Sequence, residues 1–249
     1  MYAVNGMQEK KNLGILGGMG PLATAYFFSQ ITQHTKASCD RDHLNVIITS
    51  SAEIPDRTDY IMGKSTENPL DYMCRDAKKL EIAGAGIIAI PCNTAHYFHD
   101  KIADCVKIPV LNIVEETAAH VKKRGFTRAG ILATVGTVRI GAYRRALAEH
   151  GVDCIDPPEC VQNEITSIIY DYVKAGRDGG REIFRHVAEQ MFSLGCDCLI
   201  LGCTELPLAA WGDDRIIDSL DALEYAAITG CGAEVTGFSP EFMSAYKSE

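Results

Sequence analysis

The chain of 249 residues is 47% hydrophobic and 23% charged, enough apolar material for one large α/β domain or two domains of ordinary size. Its net charge of −9 gives no basic footprint for nucleic acid, and no apolar run approaches the roughly 20 residues that span a bilayer. The N-terminal sequence lacks the apolar region and cleavage site of a secretory signal. We therefore expect a cytoplasmic protein that binds neither nucleic acid nor membrane, with all ten cysteines reduced and no metal site in their spacing.

Strand-like and helix-like segments alternate along the chain. Apolar runs that end in glycine, proline or polar residues predict strands within 13–21, 44–54, 84–96, 108–113, 129–137 and 195–207. Helical periodicity predicts helices at 24–36, 71–84, 114–125, 138–151, 163–176, 182–195 and 219–228. This alternation is typical of parallel sheets that helices cover on both faces.

Two pairs of segments repeat at a similar distance. The segment 13–21 matches 129–137, and 84–96 matches 195–207, each after roughly 110 residues. The repeat predicts two similar parallel-sheet α/β domains related by pseudo-twofold symmetry, with the active site in the cleft between them. We expect the first domain to comprise 1–114 plus 212–249 and the second 115–211.

Cys92 and Cys203 end the second pair of repeated strands, and each is followed by threonine and a predicted helix start. A thiol at a helix N-terminus has a lowered pKa, so we expect both to be functional and the other eight cysteines to be structural. Two thiols on opposite sides of one pocket suit inversion of a carbon stereocentre. One removes a proton as base, and the other returns a proton as acid.

Other residues at the predicted strand ends are candidates for substrate binding. Hydroxyls and backbone N–H groups suit a carboxylate, and Arg57 suits a second carboxylate on the substrate side chain. The glycines of GGMGP could admit a small ligand beside Met19, or could form only a tight turn. The carboxylate candidates are Asn93, Thr94, Thr134, Thr137 and Thr204, while His96 and Glu205 are expected to lie behind the cysteines.

Five motifs in order resemble the aspartate/glutamate racemase family: GGMGPLAT, IPDRT, PCNTAH, ATVGT and GCTELP. The chain is most similar to the cofactor-independent aspartate racemases. The glutamate racemases read Gly-Cys-Thr-His where this chain has Glu205. The resemblance implies no pyridoxal phosphate, no metal and a homodimer. It also implies that Cys203 deprotonates the L-amino acid and Cys92 the D-form.

One position departs from the resemblance. Aspartate-specific relatives carry a lysine on the helix that corresponds to 163–176, and this lysine helps the arginine hold the distal carboxylate. When the two helices are aligned on the apolar pattern I-x-x-I-I, Glu164 takes the position of that lysine. A carboxylate there would repel an acidic side chain or bind an amino group.

The sequence therefore predicts a two-cysteine amino-acid racemase acting on aspartate or glutamate. A racemase for neutral or basic amino acids, a maleate-type cis–trans isomerase and a metabolite-binding protein without turnover are the alternatives. The partner in each case is a small molecule.

Overall fold

The computed structural model describes residues 10–246, which form two parallel sheets. The strand order is β2-β1-β3 in the first sheet and β5-β4-β6-β7 in the second. The predicted fold class, two parallel-sheet α/β domains, is confirmed. The strands are β1 Leu13–Gly17, β2 Val46–Ser50, β3 Ile87–Ala89, β4 Arg128–Ala133, β5 Asp153–Ile155, β6 Cys198–Gly202 and β7 Ile216–Asp218.

The two sheets share a strand arrangement. In each, the first strand of the repeat lies between the next two, so β1 corresponds to β4 and β3 to β6. The segment predicted as a strand at 108–113 pairs with β3 only through a parallel bridge between Val110 and Ile88. This bridge occupies the place that β7 takes beside β6.

Eleven α-helices cover the sheets within the described residues. Several begin at side chains that accept a backbone N–H bond: Asn68 before α3, Asn112 before α5 and Thr134 before α6. The helices are α1 Pro21–His34, α2 Arg57–Ile61, α3 Pro69–Ile82, α4 His99–Ala103, α5 Ile113–Lys123, α6 Val135–Ile140, α7 Ala142–Glu149, α8 Glu159–Ser167, α9 Gly180–Ser193, α10 Ser219–Gly230 and α11 Pro240–Ser244.

Two predicted helices are interrupted. The segment 138–151 breaks between α6 and α7, where Gly141 takes a left-handed φ of 64°. The segment 163–176 continues past α8 as a π-helical turn over Ile168–Val173. A π-helical turn shifts the angular position of every later residue relative to a regular helix, and such turns are frequent at functional sites.

A shared apolar core holds the two halves together. Ile15 and Ile87 of the first sheet belong to the same buried cluster as Ile131 and Ile200 of the second. Two further clusters lie one on each half, the first around Ile88 and the second around Leu199. Because one core spans both sheets, the carboxyl ends of their strands are held beside each other.

The division of the chain into domains stays a prediction, with one amendment. The expected boundary at 211 falls before β7, but β7 pairs with β6 in the second sheet. We therefore assign 212–218 to the second half. The helix α10 that follows packs against α1 and α5.

The expectation that all ten cysteines are reduced is wrong for two of them. Cys74 of α3 and Cys105 after α4 form a disulfide, with their Cα atoms 5.8 Å apart. Sequence spacing could not reveal this pair, because the packing of α4 on α3 brings the two thiols together. No helix among residues 10–246 has the length and apolar character to cross a membrane.

The turn between β1 and α1 depends on Gly18. Its φ is 94°, and a Cβ atom built there would lie 2.4 Å from the Ser51 backbone nitrogen. We expect Gly18→Ala to lower the free energy of unfolding by at least about 2 kcal/mol more than a glycine replacement without a clash.

The matched control is Gly125→Ala, because Gly125 has a φ of 81° and no atom within 4 Å of its added Cβ. It should lose only about 1 kcal/mol, from the left-handed backbone alone. Urea unfolding of both variants measures the difference. Equal losses would mean that the close approach to Ser51 is unimportant.

Candidate active site

Cys92 and Cys203 line one pocket, as the strand-end pattern predicts. Cys203 directly follows β6, and Cys92 lies three residues after β3. Both side chains are buried. The pocket therefore lies beyond the carboxyl ends of corresponding strands from the two sheets, the usual place for a ligand in parallel α/β proteins.

Cys203 forms a hydrogen-bonded pair with Glu205. The thiol donates to Glu205 Oε2 over 3.0 Å, and the Thr204 hydroxyl donates to the same oxygen over 3.3 Å. Burial, with the negative charge of Glu205, raises the pKa of the Cys203 thiol well above its usual value. The expected lowering by a helix N-terminus is thus wrong for Cys203. Only a turn and a three-residue 3₁₀-helix, Leu206–Leu208, follow it, so no aligned helix dipole acts there.

Lys174 is a pocket residue that the sequence analysis did not predict. It follows the π-helical turn, lines the pocket, and places Nζ 3.5 Å from Glu205 Oε1 and 5.2 Å from the centre of the Tyr170 ring. Burial disfavours its charge, but the negative charges of Glu205 and the thiolates outweigh burial and raise the pKa of Lys174. Lys174 is therefore a cation at pH 7.

Glu164 does not lie in this pocket, which corrects the sequence alignment. Its carboxylate pairs with His186 Nδ1 at 2.8 Å, beside a separate surface cavity. Neighbouring Ile165 turns into the core of the second half, so Glu164 faces α9. A lysine does line the pocket, but it is Lys174, ten positions further along the chain and directly after the π-helical turn.

Arg57 begins α2 and reaches the pocket from the first half. Its guanidinium donates to the carbonyl oxygens of Met19 and Pro55, both at 3.1 Å, while Nε is buried without a partner. Burial opposes its charge, but the nearby Cys92 and Asp56 raise the pKa of Arg57. A buried guanidinium with a free donor can bind an anionic group of a substrate.

Three predicted threonines, Thr94, Thr134 and Thr137, form a hydroxyl cluster with Thr58 where the halves meet. Thr94 Oγ1 lies 3.0 Å from Thr134 Oγ1 and 2.9 Å from Thr137 Oγ1, and Thr58 Oγ1 lies 3.4 Å from Thr134 Oγ1. Thr58, Thr94, Thr134 and Thr204 line the pocket, whereas Thr137 lies behind it and holds Thr94 and Thr134. The halves approach closely because Gly136 has no Cβ: one would lie 3.0 Å from Thr58 Oγ1.

Asn93, which directly follows Cys92, joins the two halves through hydrogen bonds of its side chain. Its Oδ1 accepts from the Tyr143 hydroxyl at 2.5 Å, and its Nδ2 donates to Ser219 Oγ at 3.0 Å. Ser219 in turn donates to the Leu201 carbonyl at 2.7 Å. The Asn93 side chain is therefore committed to protein partners, although the residue lines the pocket.

His96 does not contact a thiol. Its Nε2 accepts from the Ile113 N–H at 3.1 Å, so Nδ1 carries the proton and donates to the Cys92 carbonyl at 2.9 Å. Burial lowers the pKa of His96 to about 4, so it is neutral at pH 7. His96 thus fixes the Cys92 backbone to the start of α5.

The remaining predictions concern the glycine-rich turn and its neighbours. Met19 lines the pocket, as expected. A Cβ on Gly17 would clash with Thr24, so that glycine serves helix packing, not approach to a ligand. Asp56, Thr58 and Tyr170 also line the pocket and were not predicted. Asp56 and Thr58 flank Arg57 in the quoted IPDRT motif, whereas Tyr170 lies on the π-helical turn and had no such signal.

The arrangement combines two buried thiols, a carboxylate that accepts from one of them, two cations and a cluster of hydroxyls. Within residues 10–246, no group of three or more His, Cys, Asp or Glu side chains could hold a metal ion. The chemistry that these groups can perform is proton transfer at a carbon atom of an anionic ligand.

Comparison with known proteins agrees with this chemistry. The family model for Asp/Glu/Hydantoin racemase matches residues 16–226. The fold is similar to an aspartate racemase of Picrophilus torridus, with a TM-score of 0.80 and 30% identity over 94% of this chain and 99% of that one. It is also similar to an aspartate racemase homologue of Pyrococcus horikoshii, with a TM-score of 0.73 and 28% identity over 89% and 99% of the chains.

Among sequence relatives, the broad specificity amino-acid racemase RacX of Bacillus subtilis is 28% identical over 204 residues, which are 78% of this chain and 85% of RacX. The family match covers most of the chain and includes both strand-end cysteines. The protein belongs to the Asp/Glu/hydantoin racemase family and is an isomerase of the amino-acid racemase class.

Proposed function

We propose that the protein is a cofactor-independent aspartate racemase that works by two-base proton transfer between Cys203 and Cys92. The single observation that carries the proposal is the pocket itself, where two thiols face the same space as two cations, Arg57 and Lys174. A homodimer in the cytoplasm stays a prediction.

The reaction conserves atoms and charge. The thiolate of one cysteine takes the Cα proton of the amino acid, and the electron pair stays on the substrate as a carbanion conjugated with its carboxylate. The thiol of the other cysteine then returns a proton to the opposite face. After one turnover the protonation states of the two cysteines are exchanged. We assign Cys203 to the L-enantiomer and Cys92 to the D-enantiomer, as the family resemblance implies.

Substrate choice follows from charge. An acidic amino acid has a distal carboxylate that Arg57 and Lys174 can both bind, and Nε of Arg57 offers a buried donor without a partner. The hydroxyls of Thr94, Thr134 and Thr204 can bind the α-carboxylate if each turns its hydrogen from its protein partner to the ligand. Asn93 contributes its backbone N–H, since its side chain is committed elsewhere. The similarity to the aspartate racemase of Picrophilus torridus supports aspartate as the substrate.

Glu205 is proposed to move the proton of Cys203. Its Oε2 accepts the thiol hydrogen at 3.0 Å, so it can hold that proton while the thiolate attacks Cα–H. Lys174 lies against the other oxygen of Glu205 and stabilises the negative charge of the site. A distal substrate carboxylate would share Lys174 with Glu205.

Replacing either pocket cysteine by serine tests the two-base scheme. We expect racemisation of aspartate to fall by about 10²–10⁴-fold in Cys92→Ser and in Cys203→Ser, because one acid–base partner is lost. In deuterated water, Cys203→Ser should still exchange the Cα proton of D-aspartate without inversion, and Cys92→Ser that of L-aspartate. Proton NMR and chiral chromatography measure exchange and inversion separately.

Cys198→Ser is the matched control, since Cys198 is a buried thiol on β6 outside the pocket. Full racemisation in either pocket variant would end the two-base scheme. Conversion of maleate to its trans isomer, without Cα–H exchange in any amino acid, would favour a cis–trans isomerase. Ligand binding without exchange would favour a binding protein.

Replacing Lys174 tests the substrate assignment. Lys174→Met should raise KM for aspartate about 10–100-fold, the effect of losing one hydrogen bond to a charged group. Glu164→Lys is the control and should leave KM for every amino acid unchanged, because Glu164 pairs with His186 outside the pocket. An unchanged KM in Lys174→Met, or a shift toward aspartate in Glu164→Lys, would contradict the assignment.

The role of Glu205 predicts a pH effect of known sign. Burial is the largest cause that raises the pKa of Cys203, and the negative charge of Glu205 is the second largest. Since Cys203 must be a thiolate to act as base, kcat/KM for L-aspartate rises with pH through that pKa. Glu205→Gln removes the charge, so the midpoint of this rise should move to lower pH.

The pH–rate profile of kcat/KM in each direction measures the shift. Glu164→Gln, which alters a carboxylate outside the pocket, should leave the profile in place. A midpoint that stays or moves to higher pH in Glu205→Gln would refute the coupling of Glu205 to Cys203.

A further inference from the structure

A second cavity of about 270 Å³ adjoins the thiol pocket, and we call it the outer chamber. Most of its wall is apolar: Pro21 and Leu22 at the start of α1, Val173 of the π-helical turn, and Leu208 after Cys203. The thiol pocket itself has a cavity volume of only about 20 Å³, close to the size of one water. The side chains that line the thiol pocket must therefore move apart to admit even aspartate. The outer chamber is the adjoining space that already has room for a larger side chain.

The two cavities share part of their walls. Lys174, Thr204 and Glu205 line both, so the outer chamber begins where the thiol pocket ends. The Lys174–Glu205 pair forms this partition, and its separation of 3.5 Å is long for an ion pair. The Lys174 side chain is 30% exposed and has a flexible stem, so rotation of Lys174 would join the cavities.

We propose that the outer chamber is a side-chain subsite that lets the enzyme also racemise amino acids with large apolar side chains, such as leucine, methionine and phenylalanine. This inference rests on the proposed two-cysteine function. The α-carbon stays between Cys92 and Cys203, while the side chain passes Lys174 and packs on Leu22, Val173 and Leu208. Apolar walls with a few polar groups at one end are typical of pockets that bind such ligands.

The test compares apolar amino acids with aspartate in the full-length enzyme. Cα–H exchange in deuterated water gives kcat/KM for L-leucine, L-methionine, L-phenylalanine and L-aspartate. We expect the wild type to exchange all four, with the apolar substrates slower. In Leu208→Trp, which fills the outer chamber, the ratio of each apolar rate to the aspartate rate should fall at least about tenfold.

Two further variants keep the test decisive. Leu22→Trp fills the chamber from α1 and should lower the same ratio, even if Leu208→Trp disturbs the turn after Cys203. Leu194→Trp is the matched control, since Leu194 and Leu208 are both 43% exposed but Leu194 does not line the chamber. It should leave every rate unchanged.

Three other results would overturn the subsite, and only the last of them would also overturn the proposed function. Exchange of aspartate with none of the apolar substrates would overturn the subsite and leave the proposed function intact. Apolar exchange that is unaffected by both tryptophans would overturn it as well. No exchange with any amino acid would overturn the proposed function and the subsite with it.

Discussion

The active site depends on one buried chain of hydrogen bonds that ties the strand ends of the two halves together. It runs from the Leu201 carbonyl through Ser219 to Asn93, which also accepts from Tyr143. Leu201 lies two residues before Cys203, and Asn93 directly follows Cys92. Each polar side-chain atom in this chain of hydrogen bonds has at least one partner, and an unpartnered buried group would cost about 1–3 kcal/mol. The spacing between the two cysteine segments is therefore fixed by the fold, before any ligand binds.

Around this fixed frame, the charges of the pocket balance one another. Arg57 lies beside Cys92, and Lys174 lies beside Glu205 and Cys203. Arg57 thus acts on Cys92, while Lys174 acts on both thiols. A thiolate formed at either cysteine is stabilised without moving the other half, which suits a reaction that runs in both directions with exchanged roles.

The sequence predicted the parts of the site that depend on repeated strands. The end of a parallel strand is readable from its apolar run, so the positions of Cys92, Cys203 and Thr134 followed from pattern alone. Lys174 did not, because its place depends on a π-helical turn that helical periodicity cannot show. Asn93 shows a different limit: it lines the pocket as predicted, but its side chain also bonds to Tyr143 and Ser219. A side chain at a strand end can bind a ligand or the protein, and only the positions of Tyr143 and Ser219 decide between them.

The raised pKa of Cys203 is consistent with its proposed role, although a lowered pKa is the usual sign of a reactive cysteine. The reactivity of a thiolate toward a disulfide falls only partly as its pKa falls, but a thiolate that removes a Cα proton must be a strong base. Burial and Glu205 make the thiolate scarcer and more basic at once. Lys174 limits the loss of thiolate, because its positive charge favours the ionised form of Cys203. Glu205 can hold the displaced proton nearby. A helix N-terminus at Cys203 would instead have stabilised the thiolate and weakened it as a base. The short turn after β6, which contradicts the sequence prediction, is therefore better suited to proton abstraction than the helix it replaces.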